Sequence, residues 1–282
     1  MNRLRLILLL LLSPGLLTVP VFAQYYGVPV RMESRWSVGL QAGTLLMRTD
    51  VPQRAPGVQA GVWGGKNINR VLDLRLSIGY GTAQGLDLTP SSGFLLNTAY
   101  NGIAHPELGY DSADQVFHNF LYQGISADIG LALNLNRVFV TSGSEEWDLY
   151  VLAATGPQLY QTYINAINEG QNQRYDFGSV PTGDPVATRE ALLAQLDDTY
   201  ETTGHRDPVN TTRFGPWAVN TTFTAGAGCR FYLREHLVAG VEGRTTWVAD
   251  DLLDGREWLE DNRPSPETDR LFTICLLAGY RF

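Results

Sequence analysis

The stretch LFTICLLAGYRF, residues 271–282, decides how this chain is read. Every second residue back from Phe282 gives Phe282, Tyr280, Ala278, Leu276, Ile274 and Phe272; the other set is Arg281, Gly279, Leu277, Cys275, Thr273 and Leu271. A strand puts these two sets on opposite faces. One face is apolar with aromatics towards both ends, and the other is mixed and smaller. On this segment alone, the last strand of a soluble sheet and a strand set against lipid fit equally.

Seven earlier stretches carry the same period of two. Residues 35–47 oppose Trp36, Val38, Leu40 and Ala42 to Ser37, Gly39, Gln41 and Gly43; residues 56–65 oppose Val58, Ala60 and Val62 to Gln59, Gly61 and Trp63. Residues 70–82 set Leu72, Leu74, Leu76, Ile78 and Tyr80 against Asp73, Arg75, Ser77, Gly79 and Gly81. Residues 119–135 set Ile125, Ala127, Ile129, Leu131, Leu133 and Leu135 against Gly124, Ser126, Asp128, Gly130, Ala132 and Asn134. Residues 146–157 show Trp147, Leu149, Val151 and Ala153, with a less polar second face. Residues 217–232 oppose Val219, Phe223, Ala225, Ala227 and Phe231 to Asn220, Thr222, Thr224, Gly226, Gly228 and Arg230. Residues 236–249 oppose Leu237, Ala239, Val241 and Trp247 to Gly240, Glu242, Arg244 and Thr246.

The polar faces are crowded with Gly, Ala, Ser and Thr, and their charges nearly balance: Asp73, Asp128 and Glu242 against Arg75, Arg230 and Arg244. Small residues with neutralised charge describe the packed lumen of a narrow barrel, where buried charges must pair. The apolar faces carry aromatics near strand ends, Trp36, Trp147, Phe231, Tyr280 and Phe282 at one level and Tyr80, Trp247 and Phe272 at the other. Two aromatic belts flanking an aliphatic band are the outer-membrane pattern. Connection lengths point the same way. Those at 83–118, 158–216 and 250–267 are long; those around Lys66–Asn69 and Leu233–Glu235 are tight, 136–145 is short and 48–55 moderate. Long outer loops alternating with short periplasmic turns match an all-β, eight-stranded antiparallel transmembrane β-barrel, an up-and-down meander. Its surroundings are outer-membrane lipid and lipopolysaccharide.

The start of the chain fits export. Arg3 and Arg5, an apolar run interrupted at Ser13-Pro14-Gly15, and Val21-Phe22-Ala23 form a signal-peptide pattern. The expected division is 1–23 signal peptide, 24–34 N-terminal periplasmic segment and 35–282 barrel. Loss of Arg3 and Arg5 takes the net charge from −8 to −10, which argues against nucleic acid as a partner.

Thr222 to Gly255, TFTAGAGCRFYLREHLVAGVEGRTTWVADDLLDG, resembles small OmpA-type outer-membrane barrels. It is most similar to the Bacteroidetes PorG-like family, through a glycine-rich strand, a basic tight turn, Gly240-Val241-Glu242 and the loop start Asp251-Leu252-Leu253-Asp254-Gly255. The aromatic last strand resembles the signal that hands such barrels to the barrel-assembly machinery. The resemblance implies a structural or docking subunit near periplasmic secretion-complex proteins of the type IX kind. The large loop at 158–216 departs from that family's pattern.

Other chemistry is thin. An eight-stranded barrel is just filled by side chains, which disfavours a diffusion pore. A barrel enzyme acting on lipid or protein would need a base among His105, His118, His205 and His236, with serines such as Ser91, Ser92 and Ser112, and no hydrolase or metalloprotease motif is present. Asp250, Asp251, Asp254, Glu260 and Asp261 lack the spacing of a calcium loop. No catalytic, cofactor or metal residue is expected, and no cofactor. Cys229 and Cys275 lie two strands apart, roughly 10 Å at the usual spacing, beyond disulfide reach, and are expected as free buried thiols. In the long loop, Asp184 can cap a helix that Pro185 begins, with Leu192, Leu193, Leu196 and Tyr200 on one stripe. That helix is either a lid over the barrel mouth or a surface for a partner.

Overall fold

Strict alternation over eight stretches becomes eight long antiparallel strands in a computed structural model that describes residues 35–92, 99–100, 106–111, 114–139, 146–204, 212–233, 236–249, 252–256 and 269–282. The expected signal peptide and periplasmic segment lie outside the described residues. The strands are β1 (Trp36–Arg48), β2 (Gln53–Asn67), β3 (Leu72–Leu86), β4 (Asn119–Asn134), β5 (Trp147–Ile164), β6 (Trp217–Leu233), β7 (Leu237–Val248) and β8 (Arg270–Arg281). Each pairs with the next, and β8 pairs with β1 from Ser37↔Arg281 to Arg48↔Arg270. The ring is closed, so no spanning strand leaves backbone groups unpaired in lipid.

Burial decides which face is inside. Leu40 is 66% and Leu276 67% exposed, while Gln41 is 2% and Glu242 0% exposed. The aliphatic face therefore points outward on every strand and the other face inward, polar and glycine-rich except on β5, the reverse of a soluble sandwich. Such an outer surface is stable only against hydrocarbon. No helix among the described residues is long and apolar enough to cross a membrane, so the strands do the crossing.

Several boundaries differ from the sequence reading. β3 runs to Leu86 and β5 to Ile164, well past the 9–11 residues a tilted strand needs to span the bilayer. β4 ends at Asn134, because Leu135 opens a single helical turn, α1 (Leu135–Phe139). There Asn136 clasps the next strand through the Trp147 carbonyl and the Leu149 amide. The first connection is tight, with β1 ending at Arg48 and β2 starting at Gln53, so it departs from the long-loop alternation. The Lys66–Asn69 turn forms as read, with the Asn69 side chain accepting from the Val71 and Leu72 amides at 2.9 and 2.8 Å.

The fifth connection is folded. It holds two short paired segments, Ile167–Asn168 with Gln173–Arg174, a 3₁₀ turn at Phe177–Ser179 and helix α2 (Pro185–Gln195). Its side chains, with those of the third connection, form one buried cluster that includes Tyr100, Tyr110, Phe117, Phe177, Leu192 and Leu196. This cap covers the long-loop end. At the opposite end lie the short turns, the start of β1 and the end of β8.

Candidate functional site

The inward side chains stack in layers along the barrel axis. At the short-turn end Asp73 is the centre. Its carboxylate takes the Arg230 guanidinium at 2.6 Å, the Asn67 amide at 2.6 Å and the Asn134 amide at 3.2 Å. Arg230 also donates to Asn134 at 3.0 Å and lies 3.9 Å from Asp148. Asp148, fully buried, receives Arg137 of α1 at 2.6 and 3.0 Å and the Tyr232 hydroxyl at 2.5 Å.

One turn of the pleat higher, Glu242 takes Arg75 at 2.8 Å and also holds the Arg244 guanidinium and the Tyr150 hydroxyl. Arg244 continues to Gln41 at 2.8 Å and Ser77 at 3.4 Å. The Tyr150 ring joins the layers, with Arg230 4.4 Å and Arg75 6.0 Å from its centroid. Trp63 fills the wall opposite. Its ring lies 5.0 Å from the Arg75 guanidinium and its indole N–H donates to the Leu40 carbonyl at 3.1 Å. A Cβ on Gly39 or Gly279, which face each other across the β1–β8 seam, would come within 2.8 and 2.7 Å of that indole. The two glycines are the slot in which Trp63 sits.

Above these layers the lumen turns apolar. Leu45, Met47, Phe120, Tyr122, Tyr160, Val248, Leu253 and Leu271 pack into one cluster, and Gln158 donates to the Tyr122 hydroxyl. Leu253 belongs to a short segment clamped from several sides. The Asp254 carboxylate accepts the Val51 and Arg256 amides at 3.0 and 2.9 Å, and Asp269 accepts the Leu253 amide at 2.7 Å. Thr162 donates to the Leu253 carbonyl at 2.9 Å. The His118 ring nitrogen meets the Asp254 carbonyl at 3.1 Å, and Arg256 pairs with Asp87 at 3.1 Å. Burial lowers the pKa of His118 to about 4, and burial raises that of Asp254 to about 7, outweighing its two amide hydrogen bonds.

In the cap, Asp184 caps α2 by accepting the Val186 amide at 3.0 Å, with Pro185 at the first position. Leu192 is fully buried and Leu196 and Tyr200 are buried too. The stripe faces down into the cap core, so α2 packs as a lid. It ends at Gln195, however, and Tyr200 reaches the core from a left-handed backbone conformation, φ 51°. The stripe outlasts the helix.

The six expected lumen charges all sit on inward faces, and five of them form two clusters: Asp73 with Arg230, and Glu242 with Arg75 and Arg244. Asp128 makes none of these ion pairs, and its Oδ1 is buried without a hydrogen-bond partner. Asp148 and Arg137 were missing from the sequence reading; the alternation that turns Trp147 outward also turns Asp148 inward and could have supplied it. The aromatics named for the belts point outward. Trp36 lies under the Lys66 ammonium at 4.8 Å, Trp147 is opposite Phe231, and Tyr280 stacks with Phe282 and His236. At the other end Trp247 touches Phe223, with ring centroids 5.6 Å apart, and Tyr80 and Phe272 are exposed.

Of the candidate bases, His118 is buried against a carbonyl and His236 meets the Arg281 carbonyl at 3.0 Å. His105, His205 and Ser112, with Asp250, Asp251, Glu260 and Asp261, lie outside the described residues. Ser91 is buried and bridged to Val116 through its backbone, and Ser92 is exposed. Both cysteines are free: Cys275 is buried in the lumen, while Cys229, on the lipid face, is only half-buried, a correction to the expectation that both would be buried. Cys229 is level with Val241 and Cys275 with the adjoining Glu242, so strand β7 stands between them.

No family model and no curated protein matches the chain. Among solved structures, Ail, the attachment invasion locus protein of Yersinia pestis, is 11% identical with a TM-score of 0.40, over 89% of this chain and 100% of that one. Neisserial surface protein A is 9% identical with a TM-score of 0.38, over 88% of this chain and 98% of its own. The outer membrane protease OmpT from Escherichia coli is 9% identical with a TM-score of 0.39, over 90% and 99%. Likeness of this degree says nothing about what this chain does.

Proposed function

We propose that this outer-membrane β-barrel is a non-conducting, non-enzymatic structural and docking subunit, of the PorG-like kind that serves type IX secretion. The observation that carries the reading is the continuous filling of the lumen. Among the described residues, two layers of paired charge, an apolar aromatic layer and a folded cap follow one another along the axis. A barrel so filled has its exterior and its two ends left for function. The resemblance of residues 222–255 to PorG-like barrels supports placing periplasmic secretion proteins at the short-turn end.

The test is a mild-detergent pull-down of the tagged protein from its native outer membrane, read by mass spectrometry. Stoichiometric recovery of periplasmic ring or secretion components is the expected result. Recovery of the barrel alone overturns the docking role. Single-channel recording in a planar bilayer checks the sealed lumen independently, with steady ohmic conductance as the contrary outcome.

A further inference from the structure

The ladder between β4 and β5 is broken at one point. Ser126↔Gln158 and Ile129↔Thr155 keep a single register, yet no pairing forms at the two positions between them. That register sets Ala127 opposite Pro157 and Asp128 opposite Gly156. Proline has no backbone N–H to give to a ladder, so the Ala127 carbonyl loses the donor that would face it. The carbonyl is turned across the seam, since a Cβ on Gly156 would run into its oxygen. On its other side β5 is regular, with Thr221↔Pro157 and Thr222↔Gly156 in step.

The break lies within the membrane span. Ala127 is level with Ile78, one outward-facing step inside the belt residue Tyr80, and Pro157 is exposed on the lipid face. A carbonyl without a donor is costly at that depth. Next to it in the chain, Asp128 turns inward, and its Oδ1 is a second buried acceptor without a hydrogen-bond partner. Two acceptors on consecutive residues thus border one gap. The inner side of the gap is small or polar: Gly156 brings no side chain, and the Gln59 amide and Ser126 hydroxyl lie 2.9 and 3.5 Å from where a Cβ on the nearby Gly79 would stand.

What fills this gap must donate twice and carry no charge. At this level Asp128 and Glu242 already balance Arg75 and Arg244, and a metal cation would leave the layer with a buried excess of positive charge. Water has two protons to give, and it can accept from Ser126 or Gln59, which supplies the about three polar partners a buried water takes. We propose that one bound water replaces the missing rung, held by the Ala127 carbonyl and Asp128 Oδ1 on the lumen side of the β4–β5 seam. Asp128 is then a positioning residue for the barrel wall, which accounts for a lumen carboxylate that stands outside both charge clusters. The inference does not rest on the docking role.

The test uses the full folded chain, perdeuterated with protonated amides, in uncharged detergent micelles. Nuclear Overhauser transfer from water should reach the amides of residues 127–129 with the sign of a long-lived bound molecule. Its absence in the unaltered chain overturns the site. A saturable shift of these amides on titration with sodium or potassium chloride overturns water in favour of a cation, and an Asp128 carboxyl carbon resonating as a neutral acid at pH 7 overturns it in favour of the acid's own proton. Variants give a second reading. Asp128→Ala is expected to abolish the transfer and to raise the unfolded-to-folded ratio about tenfold, while Asp128→Asn, which keeps an acceptor oxygen, should retain the transfer and most of the stability. In a Pro157→Ala chain the restored N–H serves the Ala127 carbonyl directly, and Asp128→Ala should then cost about threefold or less. Equal losses for Asn and Ala, with no influence of Pro157, are the mark of a simple counter-charge and overturn the proposal.

Discussion

Arg230 and Asp73, 157 residues apart in the chain, meet at 2.6 Å inside the barrel with almost no solvent on either side chain. The pair bridges β6 to β3 across the lumen, and with Asn67 and Asn134 it satisfies every oxygen of the carboxylate. A buried charge left without its partner is costly, whereas exchange of a whole pair for apolar groups often is not.

Asp73→Ala is accordingly expected to cost about 3–5 kcal/mol, through the stranded Arg230 guanidinium. Asp73→Leu combined with Arg230→Met should recover most of that loss. Urea unfolding in detergent micelles, followed by tryptophan fluorescence, measures both; equal losses in the single and double variants would show that the pair is not coupled.

Trp63 depends on two absent methyl groups. Gly279→Ala should overpack its slot and destabilise by about 1–3 kcal/mol, and the smaller ring of Trp63→Phe should restore part of the loss. A double-mutant cycle on unfolding midpoints gives the coupling, and strict additivity would be the contrary outcome.

The clamp around Asp254 should respond to pH through two opposed groups. His118 has a folded pKa below its ordinary 6.5, so its contribution is present above pH 6.5 and is lost as pH falls towards 4. Asp254 has a folded pKa above its ordinary 3.8, so its contribution is complete below that value and is lost as pH rises towards 7. Between about pH 4 and 6.5 the two slopes oppose each other, each at most about 1.4 kcal/mol per pH unit. His118→Gln should therefore leave protection of the 252–256 amides falling as pH rises, and Asp254→Asn should leave it falling as pH drops. Hydrogen exchange across this range reads both slopes.

Leu192→Ala in α2 should loosen the cap core by about 2–5 kcal/mol while the barrel keeps its unfolding midpoint. Limited proteolysis of residues 165–204 beside the intact barrel band distinguishes a lid from a shared core; loss of both together would tie the cap to barrel folding.

Inside the bilayer span the strands were legible because each strand faces two different surroundings, and alternation is the trace of that difference. Above the span the trace vanishes. Leu86 and Asp87 are both buried, as are Gln161 and Thr162, because the cap covers both faces there, and the reading stopped short on β3 and β5. On β5 the inward Tyr150, Leu152 and Ala154 are apolar, which disguised the lumen face and hid Asp148 with it. Those large side chains fit where glycines such as Gly228 face them, a complementarity between distant strands that no local pattern carries. The cap of α2 was legible, since Asp-Pro acts within one turn; the path of Leu196 and Tyr200 beyond the helix depends on tertiary packing.

The filled interior has a mechanical consequence. An empty eight-stranded tube could flatten under lateral pressure by letting its strands shear past one another. Here Arg230 on Asp73 and Arg75 on Glu242 act as cross-braces on different diameters, with Trp63 and Tyr150 wedged between them. Close-packed protein interiors compress very little, so the cross-section should stay round and constant in area as membrane tension changes. Neighbours pressed against such a cylinder keep a fixed spacing, and a push on one flank is passed to the other side undiminished.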